Sequence, residues 1–503
     1  MSRLLEEFKE YLKEMNQYDH VTGLLQWDMQ TTVPKLGQAA HVDALTYFST
    51  KSFEMGTSEK LGEFLEKLAQ PAEYDALDDT WRFIVKRMKR DYDRNKRIPA
   101  DLYEAFVRAA AESGNAWEEA KTASDFSIYA PHLRNMIEMT KQVIGYTDPG
   151  KDVYDALLEQ CEEGMDQATI DRLFEEVKTE LIPLVEQITA KKMPENPTFH
   201  AYADPDAQRR VQWLLLDYIG FRRDAGAVGE TEHPFTTNFS SKDVRVTNHY
   251  YETEPLSAMF SAIHEGGHAI FEQNVNPEYD NTVAGSCCYM GVHESQSRFY
   301  ENILGRNINF WKPIYEKLGE LLPQFKNVTL EAFEREINRV ENSMVRTEAD
   351  EVTYCFHIIL RYEMEKAIFY DHVPVEKLPE LWNQKMQEYL HITPKNDAEG
   401  ILQDVHWSDG SFGYFPSYLL GSIYDGMYLE KMEEELGSVD EILADGRIGE
   451  ITKWLNEKIH WYGSTRTPKE VIAAVCGKEV SAQPLVRYMK KKYTRLYGLS
   501  EEA

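Results

Sequence analysis

The chain has 503 residues, with 55 Lys and Arg against 85 Asp and Glu, a formal net charge of −30. That balance argues against a protein held on nucleic acid or on anionic lipid. Five cysteines make no disulfide framework in a chain this long, and no segment of bilayer-spanning length is apolar throughout.

The first residues, Met1 to Glu10, lack the apolar core of a signal peptide, so the expected location is cytoplasmic. Helical patterns then dominate. Long helices are expected at the N-terminus, around residues 100 to 125, through 330 to 370 and near the C-terminus. Ile170, Leu173, Phe174, Val177, Leu181, Leu184, Val185 and Ile188 form one apolar face of a further helix, with a kink expected at Pro183. Strand-like sequence is confined to about 235 to 252. No linker, low-complexity block or repeat marks a boundary, so residues 1–503 read as one large, mainly α unit. Its two helical lobes flank a central groove, with a small β-sheet beside it.

Within the strand-like region Asp243, Arg245 and Thr247 alternate with Val244 and Val246, the period of a half-buried strand. Such a strand either offers its edge to an extended peptide or belongs to an ordinary hairpin with exposed charges. Next comes a predicted helix that starts at Glu254-Pro255, with an apolar stripe through Met259, Phe260, Ile263, Ile270 and Phe271. It carries His264-Glu265-Gly266-Gly267-His268. Residues i and i+4 share a helix face, so both imidazoles can meet one metal ion, and Glu265 stands where it can take a proton from the ion's water. Two adjacent glycines weaken a helix by about 1 kcal/mol each relative to Ala. Their presence implies that another backbone approaches closely there.

Phe271 and Asn274 occupy the positions of the Gly and third His of the extended three-histidine motif, which removes that class. The third ligand must come from elsewhere. Val292, Phe299, Ile303 and Leu304 mark another helical stretch, and its His293 or Glu294 can complete a three-ligand site. Glu294 can instead pair with Arg298 at i+4 on a solvated face. Arg346 and Asp350 have the same spacing, which predicts a surface salt bridge. His406 reads equally as a substrate contact or a core histidine. Vicinal Cys287-Cys288 reads as a pair of small buried hydrophobes near the active helix.

Six short motifs now stand in order: His233-Pro234-Phe235, Asp243 to Thr247, His264 to His268, His293-Glu294-Ser295-Gln296, Val345 to Asp350, and Gly400 to Trp407. In this set and in its overall length the chain resembles the zinc carboxypeptidases of the thermostable carboxypeptidase Taq type, peptidase family M32. The resemblance implies a metallocarboxypeptidase that releases single C-terminal residues from peptides with broad preference. It implies His264, His268 and Glu294 as ligands of one zinc ion per chain, replaceable by cobalt, with Glu265 as general base. A homodimer and peptide partners with a free C-terminus follow from the same likeness. It also suggests Arg346 as the group that grips the substrate carboxylate, since a guanidinium makes two parallel bonds to one. His233, Arg245, His406 and Tyr414 join the substrate-binding candidates. Tyr418, with Tyr414 second, is the expected oxyanion donor, by similarity of Ser411 to Tyr418 to the tyrosine segment of related helical zinc peptidases. The competing readings are an oligopeptidase or endopeptidase on the same scaffold and a non-catalytic, metal-stabilised peptide binder.

Overall fold

The computed structural model describes residues 2–191, 193–285 and 289–500. Helices dominate it. The stripe read from residue 170 onward belongs to the helix Gln167–Thr189, where all eight apolar positions are buried. Asp166 caps that helix by accepting from the Thr169 N–H at 2.8 Å, and Pro183 lies inside it without ending it. The helices Arg3–Thr31, Ala100–Ala123 and Gln483–Tyr497 lie where they are expected.

The helix expected through 330 to 370 is broken. It consists of Leu330–Ile337 and Thr353–Phe369, separated by irregular chain with a 3-10 turn at Arg346–Glu348. Asp350 causes the second start. Its carboxylate accepts from the N–H groups of Val352 and Thr353 and from the Thr353 hydroxyl. It therefore serves the backbone of the next helix, and the predicted pairing with Arg346 does not form.

Three strands make one small sheet in the order β1 (Gly226–Glu230), β3 (Asp243–Asn248), β2 (Thr236–Ser240). β1 runs parallel to β3 and β2 antiparallel, with Thr236 opposite Val246. Because β3 is the middle strand, both its edges are already hydrogen-bonded. The expectation that it presents an edge to a peptide is corrected on that ground. Its Val244 and Val246 are fully buried, and the sheet packs against the helix Pro255–Gln273.

Pro255 occupies the first turn of this helix, where a missing N–H is harmless. A β-carbon on Gly267 would lie 2.7 Å from the Gln296 oxygen and 2.8 Å from the Ser297 Cα. The second glycine thus lets the helix Met290–Arg298 cross at backbone distance. Gly266 faces the ends of Ile219 and Leu216 on the helix Pro205–Ile219. A further helix, Pro416–Leu436, packs along Met290–Arg298 and brings Tyr418 toward the same region.

Candidate metal and peptide site

His264 and His268 project from one face of the Pro255–Gln273 helix, and the crossing helix supplies Glu294. One ligand atom from each of the three lies within 4.8 Å of the others. His268 Nε2 and Glu294 Oε2 are 3.8 Å apart. Two ligands at about 2.0 to 2.1 Å from a tetrahedral ion lie roughly 3.3 Å apart, so small side-chain adjustments would close the set around one metal. Two imidazoles and a carboxylate suit a divalent first-row ion.

Two of the three side chains are held from behind. His264 Nδ1 lies 2.8 Å from Glu301 Oε2, so Nδ1 donates to that carboxylate and Nε2 is the nitrogen a metal would take, displacing its proton. Burial alone would lower this imidazole, but Glu301 outweighs it and lifts the metal-free histidine to about 9. His268 has no such carboxylate; burial, with His293 and His264 beside it, holds it well below the usual imidazole range. Glu294 divides its oxygens: Oε1 accepts from Arg298 Nε at 2.6 Å, and Oε2 faces His268. The pairing of Glu294 with Arg298 read from spacing does form, yet inside the protein, where the Arg298 side chain is 9% exposed. Its guanidinium carbon lies 4.0 Å over the Tyr354 ring.

His293 takes another direction. It bonds to Glu272 at 2.8 Å and stacks on His268 with ring centres 4.4 Å apart, outside the three-ligand group. Glu265 is buried, and its Oε2 accepts the Thr236 hydroxyl at 2.6 Å. Burial raises its carboxyl above the ordinary range.

A second cluster lies beyond Tyr354. Arg346 is buried, donates from Nη1 to the Tyr354 hydroxyl at 3.1 Å, and sits 2.8 Å from Asp404 Oδ1 through Nη2. The other Asp404 oxygen accepts from the fully buried Arg361 at 2.7 Å. Burial opposes a charged Asp404, but these two guanidiniums hold it far below the usual carboxylate range. Two arginines therefore share one carboxylate, which leaves one positive charge over. The Tyr418 ring lies 5.1 Å from the Arg346 guanidinium carbon, and its hydroxyl is 3.5 Å from His406 Nε2. Tyr414 packs on Tyr418 with ring centres 5.3 Å apart. Burial lowers His406 to about 4 and raises Tyr414 to about 12, so near neutral pH the imidazole is neutral and the phenol keeps its proton.

His233 and Arg245 do not join either cluster. His233 is exposed at the bend before β2. Arg245 uses Nε and Nη2 on the two Asp243 oxygens at 2.8 Å each and lies over the Phe239 ring. Cys287-Cys288 lies outside the described residues.

Sequence reasoning missed Glu301, Thr236, Arg361 and Tyr354. Glu301 sits seven residues after Glu294, two turns along one face, and that spacing was a usable signal. A π-helical stretch, Phe299–Gly305, carries it. Thr236 and Arg361 reach the site through tertiary packing, and no local pattern announces them.

A mainly helical fold with two motif histidines, a carboxylate from a crossing helix and a buried glutamate beside them defines a metal-dependent peptide hydrolase. Residues 7–493 match the family model described as carboxypeptidase Taq (M32) metallopeptidase. Carboxypeptidase 1 of Bacillus subtilis (strain 168) is 43% identical over 495 residues, 98% of each chain. Thermostable carboxypeptidase 1 of Thermus thermophilus is 35% identical over 500 residues, 97% of this chain and 98% of that one. The crystal structure of the M32 carboxypeptidase from Deinococcus radiodurans R1 superposes with a TM-score of 0.95 at 28% identity, covering 99% of this chain and 100% of that one. For a Pyrococcus furiosus carboxypeptidase structure the values are 0.94 and 32%, over 98% and 99%. The chain belongs to the M32 family and is a metallocarboxypeptidase.

Proposed function

We propose that the chain removes single residues from peptide C-termini, with broad side-chain preference, using one zinc ion held by His264, His268 and Glu294. The observation that carries this reading is the convergence of those three side chains beside Glu265. Bound there, zinc supplies Lewis acidity to the scissile carbonyl and lowers the pKa of water toward 7; cobalt is expected to substitute. Glu265 takes a proton from the attacking water and delivers it to the leaving amine as the C–N bond breaks. Tyr418 donates its hydroxyl hydrogen to the developing oxyanion, and Tyr414 is the second choice. Arg346 receives the terminal carboxylate. Supporting this is the surplus positive charge left where Arg346 and Arg361 share Asp404. His406, neutral and within reach of the Tyr418 hydroxyl, orients that phenol.

We assign the working form to a cytoplasmic homodimer, with each chain acting as one catalytic unit. Among the described residues no helix is long and apolar enough to cross a membrane.

Two measurements test the reading. Amidating the C-terminus of a test peptide should abolish cleavage, and cleavage that continued unchanged would point to an endopeptidase. Glu265→Gln should keep its metal and lose at least a hundredfold in kcat, in line with general base catalysis worth about 10² to 10⁴. Hydrolysis persisting in that variant would refute the assigned base.

A further inference from the structure

Thr236 aims one hydroxyl at both ends of Glu265, 2.6 Å from Oε2 and 3.0 Å from the main-chain oxygen. We propose that Thr236 is a positioning residue that holds the Glu265 carboxylate in its working direction, an inference that rests on Glu265 being the general base. The helix fixes only the Glu265 backbone, and three side-chain torsions lie between its Cα and the carboxylate. A base must stand within about 2.6 to 3.2 Å of the proton it abstracts. His264 is steadied by Glu301 and Glu294 by Arg298; among the described residues the Glu265 carboxylate has Thr236.

The strand that carries Thr236 is itself pinned. The neighbouring Phe235 donates its N–H to the Thr247 hydroxyl at 2.8 Å, and Phe235 O accepts from the Thr247 N–H at 2.9 Å. Thr247 is buried in β3, the middle strand. The motifs His233-Pro234-Phe235 and Asp243 to Thr247 thereby meet at one doubly bonded pair. Their joint work is to set Thr236 against the helix that bears Glu265. The same placement accounts for two motifs whose own polar groups stay out of the metal cluster.

The test compares zinc-loaded Thr236→Val, which keeps the shape and removes the hydroxyl, with Thr236→Ser, which keeps the hydroxyl. Valine should lower kcat on an N-blocked dipeptide with a free C-terminus by about 10- to 100-fold, taking the loss of a hydrogen bond that orients an active-site group to cost what it costs behind a metal ligand. KM and zinc content should stay within twofold, and serine should recover most of the rate. A merely structural tie would instead lower thermal stability and leave kcat alone. Should the valine variant fold poorly, Thr236→Ala carries the same expectation. The proposal is overturned by a native kcat in the valine variant, by a loss that follows zinc content, or by a serine variant as slow as valine. An active Glu265→Gln would overturn both readings, whereas an inactive Glu265→Gln beside a fully active Thr236→Val would overturn this one alone.

Discussion

Arg298 keeps one oxygen of Glu294 occupied and so decides which oxygen is left for a metal. A buried carboxylate that loses its cation is unfavourable by several kcal/mol and turns toward any other donor. Arg298→Met should therefore weaken zinc retention about 10- to 100-fold, measured by competition with a chelator of known affinity. Glu294→Ala should lose the ion at the same chelator concentration. His293→Ala should keep it, because that ring is already bonded to Glu272 and stands outside the three-ligand group. Zinc lost from His293→Ala and retained by Glu294→Ala would reverse the assignment. Spacing in the sequence left His293 and Glu294 level, since neighbouring residues on a helix differ by about 100° in direction and the orientation of that helix is a tertiary fact.

At the scale of elements, the crossing of the helices Pro255–Gln273 and Met290–Arg298 sets the distance between the two histidines and Glu294. Gly267→Ala gains about 1 kcal/mol in helix propensity but drives a methyl group into backbone atoms at 2.7 and 2.8 Å. Overpacking against an unyielding neighbour is destabilising by about 1–3 kcal/mol, so a net loss of melting temperature and of zinc affinity is expected. Gly266→Ala meets the ends of Ile219 and Leu216, which can rotate, and should be the milder change in both measurements. Equal effects from the two substitutions would show that the close crossing does not matter. The glycine pair was readable in the sequence as a sign of close approach, as was the buried face of Gln167–Thr189, because both are local and periodic. The break before Thr353 was not, since Asp350 acts as a cap only once the chain turns there. Nor was the central place of β3, because β1, its parallel partner, lies well upstream and offers no alternating pattern. The support of Glu265 was hidden as well, because Thr236 arrives from a separate element, β2.

Across the whole molecule, buried acids and buried histidines oppose each other in the dependence of stability on pH. Burial raises Glu162 to about 8 and Glu365 to about 7, against 4.5 for an unperturbed glutamate. It also raises Asp425 well above the usual range. Each of these acids holds a proton in the folded chain that the unfolded chain has released, so their contribution is full at low pH and declines as pH rises toward the folded values. The histidines run the other way. Burial lowers His357 and His460 to about 3 and His406 to about 4, against 6.5 unperturbed. Below pH 6.5 the unfolded imidazoles take up protons that the folded ones refuse, so stability falls as pH drops toward the folded values. Each proton of difference gives a slope of about 1.4 kcal/mol per pH unit. Near pH 8 the unfolded imidazoles are mostly neutral and the acids govern; near pH 4 the unfolded acids are reprotonating and the three imidazoles govern. Below that, Asp404, held down by Arg361 and Arg346, adds to the loss as it protonates. The urea midpoint of the zinc-free chain should therefore be highest between about pH 5 and 7 and lower at both pH 4 and pH 8. A midpoint that climbs steadily from pH 5 to pH 8 would mean that Glu162, Glu365 and Asp425 are ionised in the folded chain, and the burial that keeps them neutral would have to be given up as the explanation.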